Sequence, residues 1–246
     1  MARNMKIITS TCACCKNKQT IEVAEYDNNS DNLLTMMEYN DFKFVPCNVC
    51  ENCGYANIDI SKLIGENSKA IVDSEPYKFV LDNGFIDGYK DLSYQEYLDT
   101  NVAQLDAMAM LYESEGEIQN LTYARLNDRI ANIKASLRGE YSETMYGLDD
   151  DDEEFLIYQN LIKKLTQQIN DANKKCYETL ISINISYPYE IIFAAECLTK
   201  QKKYDMARKL ISNLKKSFSF GRALNSYIEN FLTEVEVLWD FYTEHL

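Results

Sequence analysis

Histidine is nearly missing from this 246-residue chain: the single one is His245. Imidazole is the side chain whose ordinary pKa lies nearest neutrality. Histidine-based acid–base catalysis, a Ser-His-Asp triad and a His-ligated metal therefore have almost nothing to build on. Proline (3) and glycine (8) are scarce as well, which argues for helix over a turn-rich β-sandwich. Positive charge is short: 25 Lys and Arg face 39 Asp and Glu, a net charge of −14. A surface of that sign repels nucleic acid and anionic lipid at long range. No run approaches the roughly 18 apolar residues of a spanning helix. The opening residues hold only Ile7 and Ile8 as a strongly apolar pair, too short for an export signal. Glycine-rich phosphate loops are absent. The expectation is a cytoplasmic protein, in a compartment where thiols stay reduced.

Against these absences, cysteine is plentiful. Of 8 cysteines, Cys12, Cys14, Cys15, Cys47, Cys50 and Cys53 lie near the start, and Cys176 and Cys197 lie far beyond. In a reducing compartment they read as metal ligands or core residues rather than disulfides. Cys12-x-x-Cys15 and Cys50-x-x-Cys53 are two C-x-x-C pairs, and each can grip one metal through a tight knuckle. Gly54 follows the second pair, where a positive φ is often needed. Two pairs complete a tetrahedral four-cysteine site, so one structural zinc is expected, with no open position for substrate. A thiol redox pair is the competing use, but it expects a single C-x-x-C at a helix start in a βαβ unit. Cys14 and Cys47 are alternative ligands, since Cys47-x-x-Cys50 overlaps the second pair. Cys176 and Cys197 read as core thiols.

The surrounding pattern is β. Residues 19–25 and 42–49 are rich in β-branched and aromatic side chains, and residues 26–31 between them have turn composition. Strand, turn and knuckle in this order suit a zinc ribbon over residues 1–75.

Beyond about residue 90 the period becomes helical. Ser93 and Glu96 form a capping box. Leu105, Met108, Ala109 and Tyr112 then share a face, Gly116 ends that helix, and a second runs to about Leu137, stopped by Gly139. The acidic run at 149–154 complements the positive end of a long helix. Phe155, Tyr158, Ile162, Leu165, Ile169, Ala172 and Cys176 follow as a heptad stripe, which packs within the chain or joins a homodimer. After Pro188 come three more helices, near 189–200, 204–217 and from Arg222 onward. The last carries Leu224, Tyr227, Phe231, Val235, Leu238 and Tyr242. Residues 189–219 fit a tetratricopeptide (TPR) pattern, with small Ala195 and Ala207 at the close approach of two helices, and residues 102–130 repeat it loosely. The fold class expected is α+β: a small zinc-ribbon-like β module, residues 1–75, then a mainly α, TPR-like helical domain, residues 76–246.

The segment from Val49 to Ala56, Val-Cys-Glu-Asn-Cys-Gly-Tyr-Ala, preceded by an N-terminal C-x-x-C, resembles a bacterial family known as a domain of unknown function. Its members pair a cysteine knuckle ending in C-x-x-C-G-Y-A with a TPR-like helical half. The resemblance implies zinc and a helical C-terminal half, and no activity. The first knuckle departs from the family's C-P-x-C-G form, because Cys15 is followed by Lys16.

One basic stretch stands out in the acidic chain. Lys200, Lys202, Lys203, Arg208, Lys209, Lys215, Lys216 and Arg222 face Asp205 alone. It either answers the protein's own carboxylates, such as the 149–154 run, or meets an acidic partner segment. Lys202, Lys203, Arg208, Lys209, Lys215 and Lys216 are the candidate partner-binding residues. Nucleic acid is disfavoured, because the ribbon itself is acidic. The reading expected is a non-enzymatic scaffold or protein-interaction module. Its alternatives are a nucleic-acid-associated regulator and a thiol redox switch using Cys14 or Cys47.

Overall fold

The computed structural model describes residues 5–24, 47–83, 96–149, 153–185, 187–218 and 222–244. The turn expected at 26–31, residues 42–46 of the second strand, Ser93 of the capping box, residues 150–152 of the acidic run and His245 lie outside them.

Two short antiparallel hairpins carry the N-terminal cysteines. Strands β1 (Met5–Thr11) and β2 (Lys18–Ala24) pair from Met5 opposite Ala24 to Thr11 opposite Lys18. Alternation along β2 puts Ile21 and Val23 on one face, with Ile21 buried and Val23 half-buried beside Ile8. Strands β3 (Asn48–Val49) and β4 (Ala56–Asn57) form the second hairpin. In both, the connecting loop is a C-x-x-C knuckle, residues 12–17 and 50–55.

Two helices follow that the periodicity reading missed, α1 (Ser68–Val72) and α2 (Glu75–Asn83). Both are too short for a stripe to register. Their buried residues Val72, Tyr77 and Val80 join Cys12, Cys50, Tyr55 and Ile60 in one apolar cluster. Ala107 and Leu111 of the next helix belong to the same cluster. The cysteine hairpins and the helices thus share a core across residue 75.

Helix α3 (Glu96–Ser114) buries Leu105, Met108, Ala109 and Tyr112 as expected. It ends at Gly116, whose φ of +74° lets the amide of Glu117 reach back to the Tyr112 carbonyl. Helix α4 (Leu121–Met145) is capped by Asn120, whose side-chain oxygen accepts from the Tyr123 amide at 2.8 Å. The stop expected at Gly139 does not occur. A mid-helix glycine costs only about 1 kcal/mol, and Tyr141 beyond it is buried with its ring 5.5 Å from that of Tyr158. Tertiary packing overrides the local signal.

Helix α5 (Glu153–Ser182) lies along α4. Most of the heptad stripe is covered within the chain: Tyr158, Leu165, Ile169, Ala172 and Cys176 are buried, and Phe155 and Ile162 are half-buried. Helix α6 (Pro188–Lys200) opens with Pro at its first position, where the missing N–H costs nothing. It forms a hairpin with α7 (Tyr204–Ser217), and Ala195 and Ala207 at the approach are fully buried. Helix α8 (Arg222–Glu244) packs on α7 and buries Ile228 and Val235. Among the described residues no helix is long and apolar enough to cross a membrane.

Candidate metal centre

The two knuckles meet face to face. The sulfurs of Cys12, Cys15, Cys50 and Cys53 all lie within 4.8 Å of one another. The Cys12 and Cys53 sulfurs are 3.7 Å apart, and those of Cys15 and Cys50 are 3.5 Å apart. These are far from the roughly 2.05 Å of a disulfide. They match the edge of about 3.8 Å that four sulfurs make when each sits about 2.3 Å from one tetrahedral ion. The donor set and spacing fit a metal of zinc's class.

Each knuckle repeats the same backbone scheme. The amide of Cys12 donates to the Asn17 carbonyl at 2.8 Å, and that of Cys50 to the Tyr55 carbonyl at 2.9 Å. The amide of Lys16 returns to the Cys12 carbonyl at 2.9 Å, and that of Gly54 to the Cys50 carbonyl at 2.8 Å. Lys16 takes φ +65° where Gly54 takes +77°. The departure of the first knuckle from C-x-x-C-G is therefore one of residue type and not of backbone. The Lys16 ammonium donates to the Ala13 carbonyl at 2.9 Å and helps hold the strained turn.

Backbone amides are also aimed at the sulfurs: those of Cys14 and Cys15 at Cys12, that of Asn17 at Cys15, that of Tyr55 at Cys53. N–H groups so placed stabilise thiolate. Burial pushes the Cys12 and Cys53 thiols up in spite of them. Burial also resists ionisation of Cys15. The Asn52 side chain, the Asn17 amide and the adjacent thiols nevertheless bring it down to about 6. Four thiolates this close cannot all ionise without a compensating cation.

Residues of neighbouring elements lock the knuckles in place. Gln19 on β2 donates to the Val49 carbonyl at 2.8 Å and accepts from the Glu51 amide at 3.0 Å, tying the first hairpin to the second knuckle. The Ala13 amide donates to the Ile60 carbonyl at 2.7 Å. Tyr77 of α2, fully buried, donates its hydroxyl to the Gly54 carbonyl at 2.9 Å and accepts from the Ala56 amide at 3.1 Å. The Tyr55 hydroxyl donates to the Lys62 carbonyl at 2.8 Å and accepts from the Ile64 amide at 2.9 Å. Sequence reasoning gave no role to Gln19 or Tyr77, because a lone Gln or Tyr carries no spacing signal, and met Tyr55 only within the C-x-x-C-G-Y-A signature.

The two spare thiols lie outside the four-sulfur cluster. Cys14 is half-buried beside it, and burial with the neighbouring thiols pushes it up to about 12. Cys47 packs toward α3, its thiol 3.5 Å from the Gln104 carbonyl, and burial pushes it up to about 12. Cys176 and Cys197 are buried in the helical core. The Cys197 thiol stands 3.6 Å from an Asp128 carboxylate oxygen.

The basic stretch of α6 and α7 is partly answered from within the chain. Lys200 donates to Asp128 at 2.6 Å and to Asn132 at 3.1 Å, where burial alone would lower its pKa but the carboxylate holds it raised. Lys209 and Arg208 pair with Asp205 and hold it below the usual carboxylate range. Lys215 pairs with Glu229 of α8 at 3.3 Å. The Lys203 ammonium sits 5.9 Å from the Tyr177 ring centre. Lys202 and Lys216 are exposed. These carboxylates come from α4, α7 and α8, as the protein's own carboxylates answering the stretch.

Comparisons with protein-family models, with curated proteins and with solved structures return no significant match to this chain.

Proposed function

We propose that Cys12, Cys15, Cys50 and Cys53 hold one structural zinc ion, and that the protein is a non-enzymatic, cytoplasmic protein-interaction scaffold. The observation that carries the zinc reading is the convergence of four sulfurs at tetrahedral-edge distances on two knuckles of like backbone. Four protein ligands leave no coordination position for water or substrate, which favours a structural role. The ion would fasten the two hairpins to one another, and so fix the face they present to α2 and α3. The bacterial family with a zinc knuckle and a TPR-like half remains the resemblance that fits this arrangement. The closely packed α6–α7 hairpin is the part most like a TPR unit.

What supports a partner is the exposed cationic edge of α6 and α7, with Lys202, Lys203 and Lys216 as its outward members and Arg208, Lys209 and Lys215 beside them. In a chain of net charge −14 such an edge suits an acidic segment of another protein. The test is quantitative cross-linking of the full chain in cell extract, with and without Lys202→Glu, Lys203→Glu and Lys216→Glu together. A partner recovered by the natural chain and lost by the reversed one supports the reading. Equal recovery, or none, speaks against it.

A further inference from the structure

Helices α3, α4 and α5 enclose a cleft of about 490 Å³, away from the cysteine knuckles and from the basic edge. It lies within the size range of small-ligand sites. Small Ala109 on α3 and Ala172 on α5 give it width. Nine of its twelve lining residues carry polar or charged side chains, although apolar atoms supply about half of its surface.

Its floor is a buried ion pair. The Lys134 ammonium, only 2% exposed, donates to both oxygens of Asp106 at 2.9 and 2.8 Å and to the Gln168 oxygen at 2.7 Å. Those three acceptors occupy its three N–H groups, so Lys134 fixes the floor rather than reaching outward. One end is closed by Lys175, which donates to Glu113 at 2.7 Å, while the Tyr123 hydroxyl donates to the same oxygen at 2.8 Å. Lys164 and Asp171 are the charged lining residues left over. Both are exposed on α5, and neither makes an ion pair among the described residues. Seven positions apart, they share a helix face, with their Cα atoms about 10 Å from one another along the axis. Gln167 sits between them on that face, and its carboxamide makes no hydrogen bond among the described residues.

A cation and an anion carried by backbone positions about 10 Å apart on one helix face, with the Gln167 amide between them in sequence, complement a ligand with the opposite arrangement. An extended peptide advances about 3.3 Å per residue, so about three residues span the gap. We propose that this cleft binds a short peptide with free termini, its carboxylate at Lys164, its ammonium at Asp171 and its backbone against Gln167. The inference is independent of the zinc reading.

The test is titration calorimetry on the full chain with trialanine, N-acetyl-trialanine, trialanine amide and a mixed pool of free tripeptides. Binding of trialanine or of the pool is expected. Capping either end of trialanine should weaken it about tenfold or more, the loss of one charge-assisted contact. Lys164→Glu should have the same effect. The double reversal Lys164→Glu with Asp171→Lys should restore binding, with the peptide running the other way. Both positions are exposed, and circular dichroism would verify the fold of each variant. No heat from trialanine and the pool at millimolar concentration, or equal binding by free and capped peptides, overturns the proposal. So does binding that ignores Lys164→Glu.

Discussion

Lys16 and Gly54 each follow the second cysteine of a knuckle, and each holds the backbone left-handed, at φ +65° and +77°. They differ in what surrounds them. A Cβ on Gly54 would lie 2.6 Å from Cδ2 of Leu81. Lys16 is exposed and braced by its own ammonium on the Ala13 carbonyl. Gly54→Ala is expected to destabilise by about 1–3 kcal/mol, from left-handed strain plus the shift forced on Leu81. Lys16→Gly relieves the strain but loses the brace, so its effect should stay within about 1 kcal/mol. Thermal melts of the zinc-loaded variants distinguish the two.

The four ligands are separable from the spare thiols. Cys12→Ser or Cys50→Ser should remove the metal and melt the N-terminal hairpins, since a structural zinc is worth on the order of 10 kcal/mol to the fold that holds it. Cys14→Ser and Cys47→Ser should keep one metal per chain. Elemental analysis of the purified variants reads this directly.

Tyr77 reports how the knuckle is held. Tyr77→Phe leaves the Ala56 amide without the hydroxyl it donates to and the Gly54 carbonyl without its donor. Orphaning these groups inside the core should cost about 1–3 kcal/mol. Hydrogen exchange at the Ala56 amide should rise more than exchange in α6.

The pair Lys134 and Asp106 carries a different signature. Lys134→Met or Asp106→Leu alone leaves a buried charge uncompensated, at about 3–5 kcal/mol. Lys134→Met with Asp106→Leu together should cost much less than the two single changes summed. Denaturant melts of the four-member cycle check it.

Alkaline pH acts through the tyrosines. Burial raises Tyr55, Tyr77, Tyr123 and Tyr227, and pushes Tyr112 up to about 12. Each binds its proton more tightly folded than unfolded. Their contribution is therefore complete below the ordinary value of about 10 and is lost as pH climbs through the raised ones. In an absorbance titration these tyrosines should ionise only together with loss of helical circular dichroism.

The parts legible in the sequence rest on short-range spacing. C-x-x-C needs only a two-residue gap to bring two sulfurs to one ion, and the stripe from Tyr158 to Cys176 needs only helical period. What was not legible depends on partners far away in the chain. Gly139 reads as a stop until Tyr141 is seen packed on Tyr158. Lys16 reads as a flaw in the knuckle until its φ is known. Asp106 and Lys134 look like surface charges until α3 and α4 are laid side by side. Asp128 as the partner of Lys200 could not be guessed from a charge count, because 72 residues separate them.

Native mass spectrometry of the purified full chain, before and after a strong chelator, tests the central claim most directly. One zinc per chain is expected, with residues of the N-terminal hairpins losing structure when it is stripped and regaining it when zinc is returned. A chain that carries no metal, keeps the same fold with chelator and has four freely titratable thiols at Cys12, Cys15, Cys50 and Cys53 would contradict it.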